Sequence, residues 1–267
     1  MGCRNFTAVV LCAFLFALKS AGHDLWLVPP GKAEPKQKIQ IAASVGMDFP
    51  VSVFASATDR YPRKFVLGPD GATLPLSSAG KKGLVSFLEF EPSVPGIHLL
   101  AVQTTPKVLE LDADRFNDYL VTDGLPHIYR LRAKEKTLNQ PAKERYSKSP
   151  TAVIAVGASK TGDWGKVLDL PLQIVPMQNP FDAKIGATLR VRVLFQKKPL
   201  ARANLGWQRP GDGDTPIGYV RTDAKGEALI PIAQTGLMTI RLTHMTRPKL
   251  AAYEWESFWT TLTFRIP

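Results

Sequence analysis

The 267-residue chain holds two cysteines, Cys3 and Cys12, both at its very start. Everything after them lacks a disulfide framework, a thiolate metal site and a redox pair. Long apolar runs are just as scarce. The one present, Phe6 to Leu18, is shorter than the ~20 residues a membrane span needs. It lies between Arg4 and the small residues Ser20-Ala21-Gly22. That layout predicts an export signal over 1–22, cut after Gly22 so that the mature chain opens at His23. Cutting after Ala21 would put Lys19 where signal peptidase reads small side chains. The alternatives are a retained N-terminal anchor and lipid attachment at Cys12, which Leu11 disfavours by its bulk. Export without disulfides fits a bacterial periplasm better than a eukaryotic secretory route.

Catalytic signatures are missing too. There is no Gly-rich phosphate loop, no nucleophile elbow and no His-Glu-x-x-His helix. Gly211-Asp212-Gly213-Asp214 lacks the remaining ligands of a calcium loop and reads as a turn. Acidic residues are outnumbered, 23 against 34 basic ones, and the net charge of +11 falls to +9 when Arg4 and Lys19 leave with the signal. The basic residues are scattered, as at Lys36, Lys38, Lys81, Lys82, Lys197 and Lys198. A nucleic-acid binder concentrates them on one element, so nucleic acid is excluded as a partner.

What the sequence does have is period-two alternation. Lys36 to Val45 sets Ile39, Ile41, Ala43 and Val45 against Lys38 and Gln40. Short strands are predicted at Val51–Ala55, Arg63–Leu67, Leu84–Phe90, Ile97–Thr104 and Ala152–Val156, punctuated by Pro and Gly. Asp112 to Leu120 predicts a helix with Gly124 as its stop, and Pro126 opens a second. Thr137 to Pro150 is polar and reads as loop. Further strands follow at Leu189–Val193, Ala228–Ile232, Leu237–Met245 and Glu254–Ile266. The fold class is mainly β: two antiparallel β-sandwich, immunoglobulin-like domains over 23–110 and 151–267, with a helical and loop insertion over 111–150. Trp26, Trp207, Trp255 and Trp259 read as core rather than as a sugar platform.

Four histidines remain, His23, His98, His127 and His244. His98 lies inside a strand and reads as structural. As the first mature residue, His23 would carry an α-amine titrating near ~7.7 and an imidazole near ~6.5, a chelating pair on one residue. His244 shares its strand parity with Ile240 and Leu242. Glu256 shares its own with Phe258, Leu262, Phe264 and Ile266, so both face the apolar side near one loop. A buried carboxylate needs a partner. That partner is either a metal or an arginine such as Arg241 or Arg247.

The segments His23-Asp24-Leu25-Trp26-Leu27, Glu110-Leu111, Phe116-Asn117-Asp118-Tyr119-Leu120, Gly124-Leu125-Pro126-His127, Glu144-Arg145-Tyr146-Ser147 and Trp255-Glu256-Ser257-Phe258-Trp259 with Leu262-Thr263-Phe264 resemble one family in the same order. It is a periplasmic family of unknown-function domains described as a nickel/cobalt transport component, similar to the soluble accessory protein of energy-coupling-factor nickel transporters. The resemblance implies a β-rich periplasmic protein that binds Ni²⁺ or Co²⁺ and partners membrane metal-uptake transporter components. The expected function is metal binding without catalysis. His23, His244 and His127 would supply an N-rich site, with Glu256 as a ligand or as the group that holds one. Imidazole donors suit Cu²⁺ and Zn²⁺ as well. Two further readings stand beside it: a copper histidine-brace enzyme, and a metal-free β-sandwich module for carbohydrate binding or adhesion.

Overall fold

The computed structural model describes residues 22–249 and 252–267; the signal expected over 1–22 lies outside them except for Gly22. The alternating segments form three sheets. The first runs, in spatial order, Asp24–Val28, Ile39–Gly46, Val85–Phe90 and Ser77–Lys82, all antiparallel. The central sheet has ten strands, and its main path joins segments from both ends of the chain. Trp255–Ile266 pairs with Gly236–Thr246 in an eleven-rung antiparallel hairpin. On its other side the same strand runs parallel to Thr151–Val156 at one end and to Ala142–Lys148 at the other. Thr151–Val156 then pairs with Gly96–Gln103, so the sheet is continuous across the helical insertion. The third sheet is built on Thr188–Phe195, flanked by Leu172–Pro176 and Glu227–Pro231.

This order makes a mainly β, layered sandwich in which both faces of the central sheet are buried. Leu100, Val102, Ile154 and Val156 face the first sheet, with Leu25, Leu27, Ile41 and Leu88. Ile97, Leu99, Ala101 and Val153 face the third, with Leu172, Ile174, Val191 and Ile230. Strands buried on both faces lose the clean alternation of a solvated sheet. That is why Gly96–Gln103 and Thr151–Val156 read as nearly continuous apolar runs. Each large aliphatic side chain removed from water contributes roughly 1.5–3 kcal/mol.

The two helices of the insertion form as expected. Helix α1 (Ala113–Thr122) starts at Asp112, whose side chain accepts a bond of 2.9 Å from the Arg115 amide. Phe116, Tyr119 and Leu120 form its buried stripe, and Gly124 ends it at φ +72°. Pro126 opens α2 (Pro126–Lys134). Both helices contribute to a third core with Met245, Trp255 and Trp259, on the face of the central sheet that the first sheet also covers. Among the described residues no helix is long and apolar enough to cross a membrane.

Two expectations fail. Val51–Ala55 is not a strand; Val51, Val53 and Phe54 are exposed. Ser52 organises this loop locally, accepting from the Val45 amide at 2.9 Å and donating to the Phe54 carbonyl at 3.0 Å. Conversely, the expected loop Thr137–Pro150 contains the strand Ala142–Lys148, which pairs on both sides.

Candidate functional site

Strand pairing brings the N-terminal strand, α1, Ala142–Lys148 and the closing hairpin to one place. At its heart is Arg241, 3 % exposed. Its Nε lies 2.7 Å from Asp24, and its Nη2 donates to Asp123, which is just past α1. Burial pushes the Asp24 carboxyl up, while Arg241 and then Lys148 pull it back. Asp123 is pushed up to about 7, by burial first and by Asp24 in addition. Burial works against the Arg241 charge, yet the two carboxylates hold its pKa above the ordinary value.

Lys148, half-buried, is the fourth charge of the cluster. Burial lowers it to about 8, against the opposing pull of Asp24 and Asp123. Its ammonium donates to the His23 carbonyl and sits 4.9 Å over the Trp259 ring. Beside it, Glu144 accepts from Ser257 and from the Tyr119 hydroxyl at 3.1 Å. Ser257 in turn accepts from the Trp259 indole at 2.9 Å. Burial raises Glu144 to about 7, and its second oxygen, buried and without a hydrogen-bond partner, fits a carboxyl that keeps its proton near neutrality. Tyr119 stacks on Trp259 at 5.6 Å, and its hydroxyl is pushed well up by burial and by Glu144. The resemblance segments thus meet here. Sequence reasoning singled out none of Asp24, Asp123, Glu144 or Lys148 as site residues and placed Arg241 elsewhere. Of these five, only Asp24 and Glu144 lie in those segments; Asp123, Lys148 and Arg241 flank or pair with them and carried no signal of their own.

His23 stands at the edge of this cluster, half-buried. Its ring meets Phe54 edge-on at 5.8 Å, and its pKa is lowered by burial and then by Lys148. The other expected ligands are elsewhere. Trp259 and Phe258 are successive residues and so point to opposite faces of the sheet. Lys148, which holds His23, lies over Trp259; His244 pairs with Phe258 and packs on Phe195 at 4.5 Å. The sheet therefore separates His244 from His23, and the expected convergence does not occur. His244 has its pKa lowered to about 4 by burial and then by the neighbouring His127. His127 is itself lowered by burial, Arg130 and Arg221.

Glu256 does face the same side as Phe258, as its parity predicts, but its partner is Arg145 rather than Arg241 or Arg247. Arg247 pairs instead with Glu135. His98 is a buried strand histidine bonded at 3.1 Å to the Gly96 carbonyl. Gly211–Asp214 is a turn in which Asp212 accepts from the Arg209 amide at 2.6 Å. Trp26, Trp255 and Trp259 are core. Among the described residues no group of three or more His, Cys, Asp and Glu side chains is placed to hold a metal ion.

Comparison with known proteins gives a family. A family model described as a domain of unknown function, DUF4198, matches residues 20–246. No curated protein matches the sequence. Among solved structures, the D0-D1 domain of intimin aligns at 12 % identity with a TM-score of 0.21, over 87 % of this chain and 92 % of that one. Native alpha-2-macroglobulin from Escherichia coli, spanning domains MG0-NIE-MG1, aligns at 7 % identity with a TM-score of 0.19, over 89 % and 97 %.

Proposed function

We propose that this chain, which belongs to the DUF4198 family, is a periplasmic binding protein for a divalent transition metal, Ni²⁺ or Co²⁺, carried as cargo for a membrane uptake system. The observation that carries the reading is the anchoring of His23. Its carbonyl is held by Lys148, and the next residue, Asp24, is fixed by Arg241. Burial and Lys148 keep its imidazole neutral, the form that donates to a metal. Cleavage after Gly22 would free an α-amine on the same residue, and amine and imidazole together chelate. Two donors leave most of the coordination sphere to water or to a partner's side chains. An incomplete sphere suits transfer better than storage.

The Lys148 ammonium opposes a cation bound beside it. Affinity is therefore expected to rise with pH, as the imidazole, the amine near ~7.7 and then Lys148 at about 8 lose their protons. Calorimetric titration of processed protein with Ni²⁺, Co²⁺ and Cu²⁺ tests the reading. One added residue before His23 should weaken binding about tenfold or more, a loss of ~1.4 kcal/mol, without unfolding the protein. His244→Ala should leave binding unchanged. Affinity no tighter than ~millimolar, about −4 kcal/mol, in every variant would leave a metal-free module. Copper preference with reductant-dependent oxidation would make the protein an enzyme instead.

A further inference from the structure

The face of the central sheet that carries Phe258 and His244 opens into a cleft of about 1020 Å³, across the sheet from His23. Its floor is apolar. Phe258 and Phe195 pack at 5.0 Å, and Leu170 and Pro171 continue the surface. Its walls are cationic: Arg63, Arg145, Lys197, Arg247 and Lys249 come from four separate stretches of chain. Two carboxylates, Asp169 and Glu256, oppose them.

The cations are held in place rather than free to wave. Arg145 is bonded to Glu256 at one side. Arg247 lies 3.9 Å over the Trp255 ring and pairs with Glu135, so its guanidinium is turned toward α2 and it borders the cleft without facing into it. On the opposite wall Asp169 is shared, 2.8 Å from Lys197 and 3.6 Å from Arg63. One exposed carboxylate between two cations leaves positive charge unmatched there; the hydrogen bond from Lys197, then its charge and that of Arg63, hold the Asp169 carboxyl below its usual range. A carboxylate supplied from solution would meet the same two cations that Asp169 already meets.

We infer that this cleft binds a small, multiply charged anion, a di- or tricarboxylate or a diphosphate, bridging the Arg63–Lys197 wall and Arg145 above the phenylalanine floor. Guanidinium forks match the planar oxygens of carboxylate and phosphate, and cations on two sides select ligands with acidic groups at both ends. The site does not depend on metal binding at His23, because the sheet lies between them.

Equilibrium titration of the exported protein at low ionic strength tests it, with citrate and inorganic pyrophosphate as probes and acetate and a neutral sugar as controls. Citrate or pyrophosphate should bind well ahead of both controls, and which of the two binds tighter identifies carboxylate or phosphate as the natural group. Arg63→Ala with Lys197→Ala should weaken binding about tenfold or more, the loss expected for charge-assisted bonds. Asp169→Asn, which removes the competing carboxylate, should strengthen it. Lys81→Ala with Lys82→Ala removes the same charge from the exposed edge strand of the first sheet, outside the cleft lining, and should change nothing. Equal weakening by both double variants would mean diffuse surface charge and overturn the inference. So would binding of citrate and pyrophosphate no better than acetate.

Discussion

Glu144 is buried among neutral donors, with Tyr119 and Ser257 on one oxygen. Its folded-state pKa of about 7 stands above an ordinary value of 4.5. An acid whose pKa is raised by folding contributes its stability at low pH. The contribution is whole below about 4.5, where both states hold the proton, and is lost as pH rises toward about 7. Glu144→Gln keeps an acceptor for the Tyr119 hydroxyl and removes the ionisation. It should therefore raise the thermal midpoint at pH 8 by the equivalent of at most roughly 3 kcal/mol and leave it nearly unchanged at pH 4. Melting the two proteins across that range checks both the sign and the window. Lys148 runs the other way: lowered to about 8 from 10.5, it adds stability as pH climbs through that interval. Little of this was legible from residue types. The parity of Glu256 and His244 was, because alternation is local. The choice of Arg145 over Arg241 or Arg247 was not, because it depends on a strand register between residues 111 apart.

At the scale of elements, local signals read well wherever they were chemically specific. Asp112, the stripe of Phe116, Tyr119 and Leu120, and the pair Gly124 and Pro126 delimit two helices, since caps and breakers act within a turn of where they stand. Removing such a cap has a known cost. Asp112→Ala should lower stability by about 1 kcal/mol in urea unfolding and loosen α1. A shift below a few tenths would mean the third core alone holds the helix. Patterning misled where tertiary context decides. Ala142–Lys148 looks like loop because Lys143, Glu144 and Arg145 are charged. It becomes a strand because Lys107–Leu111 and Trp255–Trp259 offer it backbone partners on both sides. Val51–Ala55 has the apolar content of a strand, but the Ser52 side chain occupies the Val45 amide and carbonyl.

In the whole molecule the central sheet serves two cores at once, so a disturbance on one face is felt on the other. Thr151–Val156 has Val153 toward the third sheet and Ile154 toward the first. Calorimetric unfolding of residues 23–267 should show one transition, with calorimetric and van't Hoff enthalpies in agreement. Two resolved transitions would mean that the layers on either side of this sheet melt independently.

The same strand order bears on time as well as on strength. The closing strand takes its partners from Ala142–Lys148 and Thr151–Val156, more than a hundred residues upstream, and Thr261 reaches back to bond the Leu25 carbonyl. Contacts so remote in sequence form only after large loops have closed, and chains that depend on them fold in milliseconds to seconds rather than microseconds. Slow arrival at the native register keeps the polypeptide pliable for longer, which is the state that the proposed export through a membrane pore would require.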